Sequence, residues 1–211
     1  QLYPKRDPFY EERVVKTAEE VRYIEAAQRA TEQAVAAAHD MLRQASIEKD
    51  ELWFDGIPLT SERVKKLINV ALMENDCVAQ HTIVAGGEQA CDPHNEGSGP
   101  LPSHRSIIFD VFPRSATDRY FADMSRTVVR GTPSPELKRL YQTVLDAQEE
   151  AITKVKDGAD GKRIHQGILT RFEKAGYKTG LVNGRMQGYF HGTGHGVGLD
   201  IHEMPRISRT G

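Results

Sequence analysis

Three histidines and four glycines are interleaved near the end of the chain, in residues 191–203. The histidines are His191, His195 and His202, three of only eight in 211 residues. Imidazole serves as a metal ligand and as a general acid or base, while glycine lets a backbone turn tightly or approach a ligand closely. The segment therefore predicts a functional site. A glycine-rich surface loop with incidental histidines is the alternative interpretation.

The spacing of His191 and His195 would place both rings on one face of a helix. However, the interleaved glycines would each cost that helix roughly 1 kcal/mol relative to alanine. Residues four apart also share a face in an extended chain, because its side chains alternate. We therefore expect His191 and His195 to point into one cavity. His202 lies an odd number of residues from both, so its side chain would point to the other face, and the chain must bend for it to join them.

Two aspartates in the middle of the chain form a second candidate cluster. Asp110 interrupts an apolar run at residues 107–112, where a lone ionised carboxylate is costly to bury unless it is paired or bound to a metal. Asp123 follows a turn-prone stretch at residues 113–118. The sequence thus predicts two strands joined by a hairpin, with one carboxylate on each strand.

A hairpin centred between Ala116 and Thr117 would place Asp110 directly opposite Asp123. Directly opposed residues have Cβ atoms about 4.5 to 5.5 Å apart, and like charges there are destabilising. The pair therefore predicts a compensating cation. A divalent ion such as Mn, Co, Fe or Zn suits these oxygen donors, and Arg126 paired with Asp123 is the alternative.

The surrounding sequence supplies the elements that must position these residues. Four segments carry apolar side chains at helical spacing. Their predicted boundaries are a capping box at Thr17 and Glu20, a start near Thr60, an N-cap at Ser134 with Pro135 next, and a stop at Gly176. Strand-like patterns occupy residues 81–86, 106–112 and 119–130. The fold class is therefore α+β, with helices packed on a sheet that includes antiparallel pairs.

Composition excludes several classes of function. The 28 basic and 30 acidic residues give a pI near 6.5, so we expect no nucleic-acid or membrane partner. Cys77 and Cys91 form no CxxC motif, which favours a reducing compartment and two small buried thiols.

No apolar run is long enough for a membrane span, and the first residues lack the apolar core of a signal peptide. We expect a soluble, cytoplasmic protein.

Three segments together resemble the pita-bread metallopeptidases, the family of methionine aminopeptidase, aminopeptidase P and prolidase. Residues 93–100, which include His94, resemble the segment with the first active-site histidine of the family. Asp110 and Asp123 resemble its two aspartate metal ligands. Residues 191–203 resemble its HxxGHGxGLxxHE signature, and we call them the signature segment below.

The resemblance runs from about Lys16 to the end of the chain. It implies a creatinase/aminopeptidase-like, pita-bread fold, in which helices pack on a curved and largely antiparallel sheet. It also implies that residues 1–15 are a linker from a missing N-terminal domain and that residues 16–211 are a partial catalytic domain, incomplete at the C-terminus.

The resemblance also implies roles for individual residues. The metal ligands would be Asp110, Asp123 and His195, and the residues facing the substrate would be His94, His191 and His202. A histidine at position 191 is more similar to the prolidase and aminopeptidase P branch. The implied reaction is hydrolysis of an Xaa-Pro peptide bond by a hydroxide that bridges two divalent metal ions. Mn or Co is the expected metal, with Zn or Fe as alternatives.

Two departures from the family pattern affect these expectations. The thirteen-residue spacing from Asp110 to Asp123 is longer than is usual in the family. The family completes its metal site with two glutamates after the signature, whereas only eight residues follow Glu203, none of them acidic. Glu203 itself is not the usual ligand. We therefore expect the metal site to be incomplete and this chain alone to be inactive.

Three hypotheses follow for the function of the protein. The first is an Xaa-Pro metallopeptidase, homodimeric as expected for this branch, that acts on a peptide or dipeptide with proline in second position. The second is a non-catalytic binding module that has lost its metals. The third is a metal-free, creatinase-like hydrolase of another C–N bond. The presence of both Asp110 and Asp123 favours the first hypothesis.

Overall fold

The computed structural model describes residues 10–210 of the chain. In this part the α-helices are α1 (Ala18–Gln44), α2 (Ser61–Met73), α3 (Pro135–Lys154) and α4 (Gly161–Lys174). The β-strands are β1 (Ser46–Glu48), β2 (Glu51–Phe54), β3 (Ile57–Pro58), β4 (Cys77–Val78), β5 (Ile83–Gly86), β6 (Ile107–Val111), β7 (Arg114–Ser115), β8 (Met124–Val128), β9 (Gly180–Val182), β10 (Arg185–Gln187), β11 (Gly194–Gly196) and β12 (Glu203–Ile207). Short 3-10 helices cover Glu11–Arg13 and Gly87–Cys91.

The described chain divides into two compact units. The first unit consists of residues 15–134 together with 197–201. The second consists of residues 135–196 and 202–210 together with 10–14. The signature segment therefore contributes residues to both units.

Helix α1 of the first unit begins at the predicted capping box. Thr17 Oγ1 accepts a hydrogen bond from the Glu20 amide, and the Glu20 carboxylate accepts one from the Thr17 amide. The Tyr120 hydroxyl donates to Glu20 Oε1 at 2.6 Å. Together, the bonds from Tyr120 and Thr17 lower the pKa of Glu20 to about 2. The cap thus fixes the start of α1 and attaches it to the hairpin that follows β7.

The core of the first unit lies between α1, α2 and the strands. Small side chains on α1, including Ala27, Ala34 and Ala38, are buried, which lets the two helices pack closely. Helix α2 begins at Thr60, whose Oγ1 accepts from the Arg63 amide. It buries residues at helical spacing, namely Ser61, Val64, Ile68 and Leu72.

All strand pairs in the described chain are antiparallel. In the first unit the orders are β1-β2-β3, β4-β7 and β5-β6-β8. In the second unit β9 pairs with β10, and β11 pairs with β12. The core of the second unit contains Ala147, Ala151, Ile164, Ile168 and Phe172, with Tyr177, Tyr189 and Ile207 packed against it. The predicted α+β class is confirmed.

Several local predictions are confirmed and others are wrong. The predicted helix starts at Thr17, Thr60 and Pro135 are correct, and Gly176 follows the end of α4 with φ of +94°. The predicted strand over 119–130 is shorter, because only Met124–Val128 is a strand. Cys77 is buried as expected, whereas Cys91 is exposed, since it ends a surface 3-10 helix.

The predicted linker at residues 1–15 is only partly described. Residues 1–9 lie outside the described chain, and Glu11–Arg13 form a single 3-10 turn. Within residues 10–210, no helix combines the length and the apolar character needed to cross a membrane.

The loop that carries His94, residues 92–100, is attached to the start of α2. The Gly99 amide donates to Glu62 Oε1 at 3.0 Å, and the Gly99 carbonyl accepts from the Ser61 amide at 2.9 Å. Hydrogen bonds from the amides of Glu62 itself and of Gly99 lower the pKa of the Glu62 carboxyl. The loop is therefore fixed to a helix terminus at its C-terminal end.

A second set of contacts fixes the middle of the same loop. Lys65 Nζ donates to the carbonyls of Glu96 and Gly97 at 3.2 and 2.9 Å. The Glu96 carbonyl also accepts from the Val84 amide at 3.1 Å. Gly97 has φ of +77°, and a Cβ there would lie 1.9 Å from the Val84 carbonyl oxygen. The backbone of the loop and strand β5 are in contact that only glycine permits.

Gly97→Ala should destabilise the first unit far more than Gly99→Ala. Both residues have positive φ, but a Cβ at Gly99 would meet no atom within 4 Å. We expect Gly99→Ala to cost about 1–2 kcal/mol from backbone conformation alone. Gly97→Ala adds a collision with backbone and should exceed about 3 kcal/mol. Thermal unfolding of the two variants measures the difference, and equal losses in Tm would contradict this packing.

Candidate active site

Strand β6 places Asp110 on the opposite face of the sheet from the core. Ile107, Phe109 and Val111 are fully buried, and Asp110 between them is half-buried. This pattern follows from the alternation of side chains along a strand. The Asp110 carboxylate is therefore not inside the apolar core, and its Oδ1 accepts a hydrogen bond from Ser125 Oγ at 2.7 Å.

The predicted pairing of Asp110 directly opposite Asp123 is wrong. In the β6–β8 ladder Asp110 faces Ser125, and Val111 faces Met124. Asp123 precedes the first residue of β8 and is half-buried. The residue that directly opposes Asp110 is thus a hydroxyl donor, which relieves the like-charge contact that the prediction implied.

The physical reason for the shift is the position of the turn. The Ser115 amide donates to the Tyr120 carbonyl at 2.9 Å, which centres the hairpin between Thr117 and Asp118. Arg119 closes the turn with φ of +74°, a conformation that is uncommon for a residue other than glycine. The turn therefore lies one residue later than the sequence predicts.

The shift preserves the face on which the two aspartates stand. Moving the partner of Asp110 from Asp123 to Ser125 is a change of two residues, and side chains two apart point the same way. Asp123 becomes the diagonal neighbour of Asp110, at a distance of about 7–8 Å for such positions. Arg126, proposed as a partner for Asp123, has the opposite parity and donates to the Ser125 carbonyl at 2.8 Å.

His94 is exposed on the anchored loop. Its amide donates to Asp92 Oδ1 at 3.0 Å, and the Gly97 amide donates to Asn95 Oδ1 at 2.9 Å. These side-chain-to-backbone bonds hold the loop in a series of tight turns. The loop thus presents the His94 ring to solvent from a fixed backbone.

In the second unit, the signature segment brings His195 and His202 together. Their ring centroids are 4.4 Å apart in an edge-to-face arrangement. His195 lies on β11, which pairs with β12, and a register shift between His195 and Gly196 accompanies the bend that leads to His202. The prediction that His202 joins its neighbours through a bend is confirmed for His195.

A hydrogen bond indicates the tautomer of the His195 ring. Its Nδ1 lies 2.9 Å from the Gly196 carbonyl oxygen. A carbonyl only accepts, so Nδ1 carries the proton. The lone pair of the neutral ring is then on Nε2, the nitrogen that would bind a metal.

His191 contacts a different neighbour. It is exposed and stacks on Phe190, with ring centroids 4.5 Å apart. The described contacts of the second unit thus bring His195 to His202, whereas the shared cavity of His191 and His195 stays a prediction.

Glu203, the last residue of the signature segment, has a partner that sequence reasoning missed. Its side chain is 8% exposed and forms an ion pair with Arg13. Arg13 belongs to the segment predicted to be a linker. Because 190 residues separate the two, no local pattern indicates this pair.

The part of the signature segment that belongs to the first unit is hydrogen-bonded near Asp123. The Phe121 amide donates to the Gly198 carbonyl at 2.8 Å, and Gly198 is buried. Phe121 precedes Asp123 by two residues. The backbone of the signature segment is therefore hydrogen-bonded to the segment that leads into the predicted metal ligand.

The two aspartates offer donor atoms of one chemical kind. Carboxylate oxygens such as those of Asp110 and Asp123 suit a hard divalent ion, Mn among them. Within residues 10–210, no three His, Cys, Asp or Glu side chains are close enough to hold a metal ion together. The pair therefore fits such an ion in donor type and in shared face.

Comparison with known proteins bears on these observations. The profile of metallopeptidase family M24 matches residues 22–211. The Xaa-Pro dipeptidase of Pyrococcus furiosus is 28% identical over 198 residues, which are 93% of this chain and 51% of that protein. Two solved structures are also similar. The prolidase from Pyrococcus furiosus aligns with a TM-score of 0.79 at 28% identity, and the alignment covers 94% of this chain and 53% of the prolidase chain. The X-Pro aminopeptidase from Thermotoga maritima aligns with a TM-score of 0.77 at 27% identity, and the alignment covers 94% of this chain and 51% of the aminopeptidase chain.

The chain spans about half the length of these relatives. Over that half, helices and antiparallel strands follow the pita-bread fold of the solved structures, as the resemblance implied. Because the family profile covers nearly the whole chain, the chain belongs to metallopeptidase family M24.

Proposed function

We propose that the whole protein is a metal-dependent peptidase that hydrolyses the bond before proline. The observation that carries this proposal is the pair of aspartates, Asp110 and Asp123, on one face of the β6–β8 hairpin beside the signature backbone at Gly198. The names of the relatives support the reaction class, since they are an Xaa-Pro dipeptidase and an X-Pro aminopeptidase.

We assign the metal-ligand role to Asp110, Asp123 and His195. The two carboxylates supply the oxygen donors that Mn or Co accepts, and Zn or Fe remains compatible with them. The Nδ1–H···O bond of His195 supports ligation through Nε2, because it fixes the tautomer and the orientation of the ring. Ser125 supports Asp110 in the same way, by donating to one carboxylate oxygen.

The proposed chemistry divides between the metals and the imidazoles. When bound, divalent metal ions activate water for attack and polarise the peptide carbonyl. His191 and His202 would donate hydrogen bonds to the oxygen on which negative charge develops, and His94 would orient the substrate. Donors fixed before the reaction stabilise such charge without reorganisation.

The substrate is proposed to be a peptide or a dipeptide with proline in second position. The dipeptidase and aminopeptidase names among the relatives leave both lengths open. The family resemblance is also the basis for proposing a cytoplasmic homodimer. Since this chain spans about half the length of its relatives, we propose that it is inactive by itself.

Asp123→Asn should abolish the activity of the whole protein on Ala-Pro in the presence of Mn²⁺ or Co²⁺. Loss of a ligand should lower kcat/KM by more than about 100-fold, the upper range for groups that merely support a ligand. Asp118→Asn is the matched control from the same hairpin. Asp118 Oδ1 accepts from the Tyr120 amide at 3.1 Å, and an asparagine oxygen can accept the same bond. Its activity should stay within about twofold.

Three outcomes would contradict different parts of this proposal. Unchanged metal stoichiometry in Asp123→Asn would refute the ligand assignment. An unmodified whole protein that turns over no Xaa-Pro substrate with any divalent metal would refute the peptidase, and would favour the non-catalytic binding module. Turnover without bound metal would favour the creatinase-like hydrolase.

Ser125→Ala should weaken binding of Mn²⁺ without abolishing it. Removing the hydrogen bond to Asp110 leaves that carboxylate free to rotate, which for such supporting groups costs about 10- to 100-fold in metal affinity. Ser125→Thr keeps the hydroxyl and should bind as the wild type does. Isothermal titration of Mn²⁺ into the whole protein distinguishes the variants, and equal affinity in Ser125→Ala would contradict the supporting role.

A further inference from the structure

A buried histidine outside the proposed catalytic set lies under the signature segment. His165, on helix α4, is only 1% exposed. Its Nδ1 is 2.9 Å from Thr193 Oγ1. Thr193 stands midway between His191 and His195. The second unit therefore connects its helical core to the signature segment through one side-chain hydrogen bond.

Tyr189 extends this bond into a network. Its hydroxyl lies 3.1 Å from both Thr193 Oγ1 and the Gly192 carbonyl oxygen. The rings of His165 and Tyr189 are 5.7 Å apart, and those of Tyr189 and Phe172 are 5.0 Å apart. Side chains from α4 and from the segment before β11 thus bond to Gly192 and Thr193 from the core side.

His165 Nδ1 and Thr193 Oγ1 form one hydrogen bond, and the tautomer of the ring decides which of the two donates. The Tyr189 hydroxyl is placed to donate to Thr193 Oγ1 or to the Gly192 carbonyl oxygen. His165 Nε2 has no partner within residues 10–210. The bond to Thr193 is therefore the one hydrogen bond of this buried ring in the described chain.

The surroundings of His165 favour the neutral ring. Burial is the main cause that lowers its pKa, and the charge of Arg209 adds to it. Its helix neighbours Ile164 and Ile168 belong to the apolar core of the second unit. A leucine at this position would pack in that core without losing the solvation of a polar ring. The polar group that distinguishes histidine from leucine here is the Nδ1 bonded to Thr193.

Thr193 is held from two directions at once. Its amide donates to the Ile207 carbonyl at 2.7 Å, which aligns the segment with β12. Its hydroxyl contacts His165 on the core side. A short two-stranded ribbon held by backbone pairing alone is only marginally stable. The hydrogen bond from His165 in the core adds a restraint on the two histidines that flank Thr193.

We propose that His165 is a positioning residue of the signature segment, which acts through Thr193 and Tyr189 to fix the backbone that carries His191 and His195. His165 touches neither substrate nor metal in this role. For catalysis, the inference rests on the function proposed above; for the restraint of the backbone, it does not.

Amide hydrogen exchange in the whole protein tests the restraint directly. His165→Leu and Thr193→Val each remove the bond with little change in volume. In both, the amides of residues 192–196 should exchange at least about tenfold faster. The double variant should match Thr193→Val within about twofold, because that single variant has already lost the bond to His165. His165→Asn, whose side-chain amide can donate or accept near the Nδ1 position, should restore most of the protection.

Ile168→Val is the matched control in the same helix and core. It should lower the Tm without selective acceleration at residues 192–196. Unchanged exchange there in folded Thr193→Val overturns the proposal, as does acceleration in Ile168→Val equal to that in His165→Leu. If His165→Leu does not fold, Thr193→Val and its rescue by Thr193→Ser decide the question, because they address the same bond from the signature side.

A kinetic experiment on the whole protein separates this inference from the proposed function. Thr193→Val should lower kcat for Ala-Pro about tenfold, with KM within about twofold, because displaced catalytic groups slow the chemical step more than binding. Faster exchange together with an unmodified protein that has no activity would overturn the proposed function alone. Normal kcat together with normal exchange would overturn the positioning role alone.

Discussion

The alternation of side chains along β6 is the constraint on which the candidate site depends. Ile107, Phe109 and Val111 fill the core of the first unit, and Asp110 consequently faces the other way. Full burial of each such apolar side chain contributes about 1.5–3 kcal/mol. A slip of one residue would expose all three and bury the carboxylate. The register that stabilises the core is thus the same register that presents Asp110 and Asp123 on one face.

In the second unit, contacts outside the β11–β12 ribbon restrain the segment that carries the histidines. The ribbon of β11 and β12 is too short to be rigid by itself, and it carries His195 next to a register shift. Restraint comes from outside the ribbon: Glu203 is ion-paired with Arg13, and Thr193 is bonded to His165. Polar groups that would be costly when buried alone are paired here, and the pairs fix the ends of the signature segment.

Local chemistry explains which parts of the fold could be predicted from the sequence. The helix starts at Thr17 and Thr60 follow from capping side chains that act within three residues. The hairpin register does not follow, because Arg119 takes a positive φ without glycine or asparagine to indicate it. The two aspartates still share one face, although the predicted register is wrong, because the partner of Asp110 moved from Asp123 to Ser125, an even number of residues.

Some residues of the candidate site could also be identified from the sequence, whereas others depend on contacts between distant parts of the chain. The histidines and aspartates could be identified because their residue types and spacing are unusual. Ser125 could have been found as well, since alternation places it on the same face as Asp123. The contact of Arg13 with Glu203 could not, because 190 residues separate its partners. His165 adjoins the apolar stripe of α4, and only the fold reveals that its ring reaches Thr193.

Anomalous diffraction from crystals of the whole protein grown with Mn²⁺ would show whether Asp110 and Asp123 bind one metal ion together. We expect a manganese peak with carboxylate oxygens of both residues at coordination distances of about 2.0–2.6 Å. A manganese peak remote from both carboxylates, or none at all in crystals of a protein that binds Mn²⁺ in solution, would contradict it.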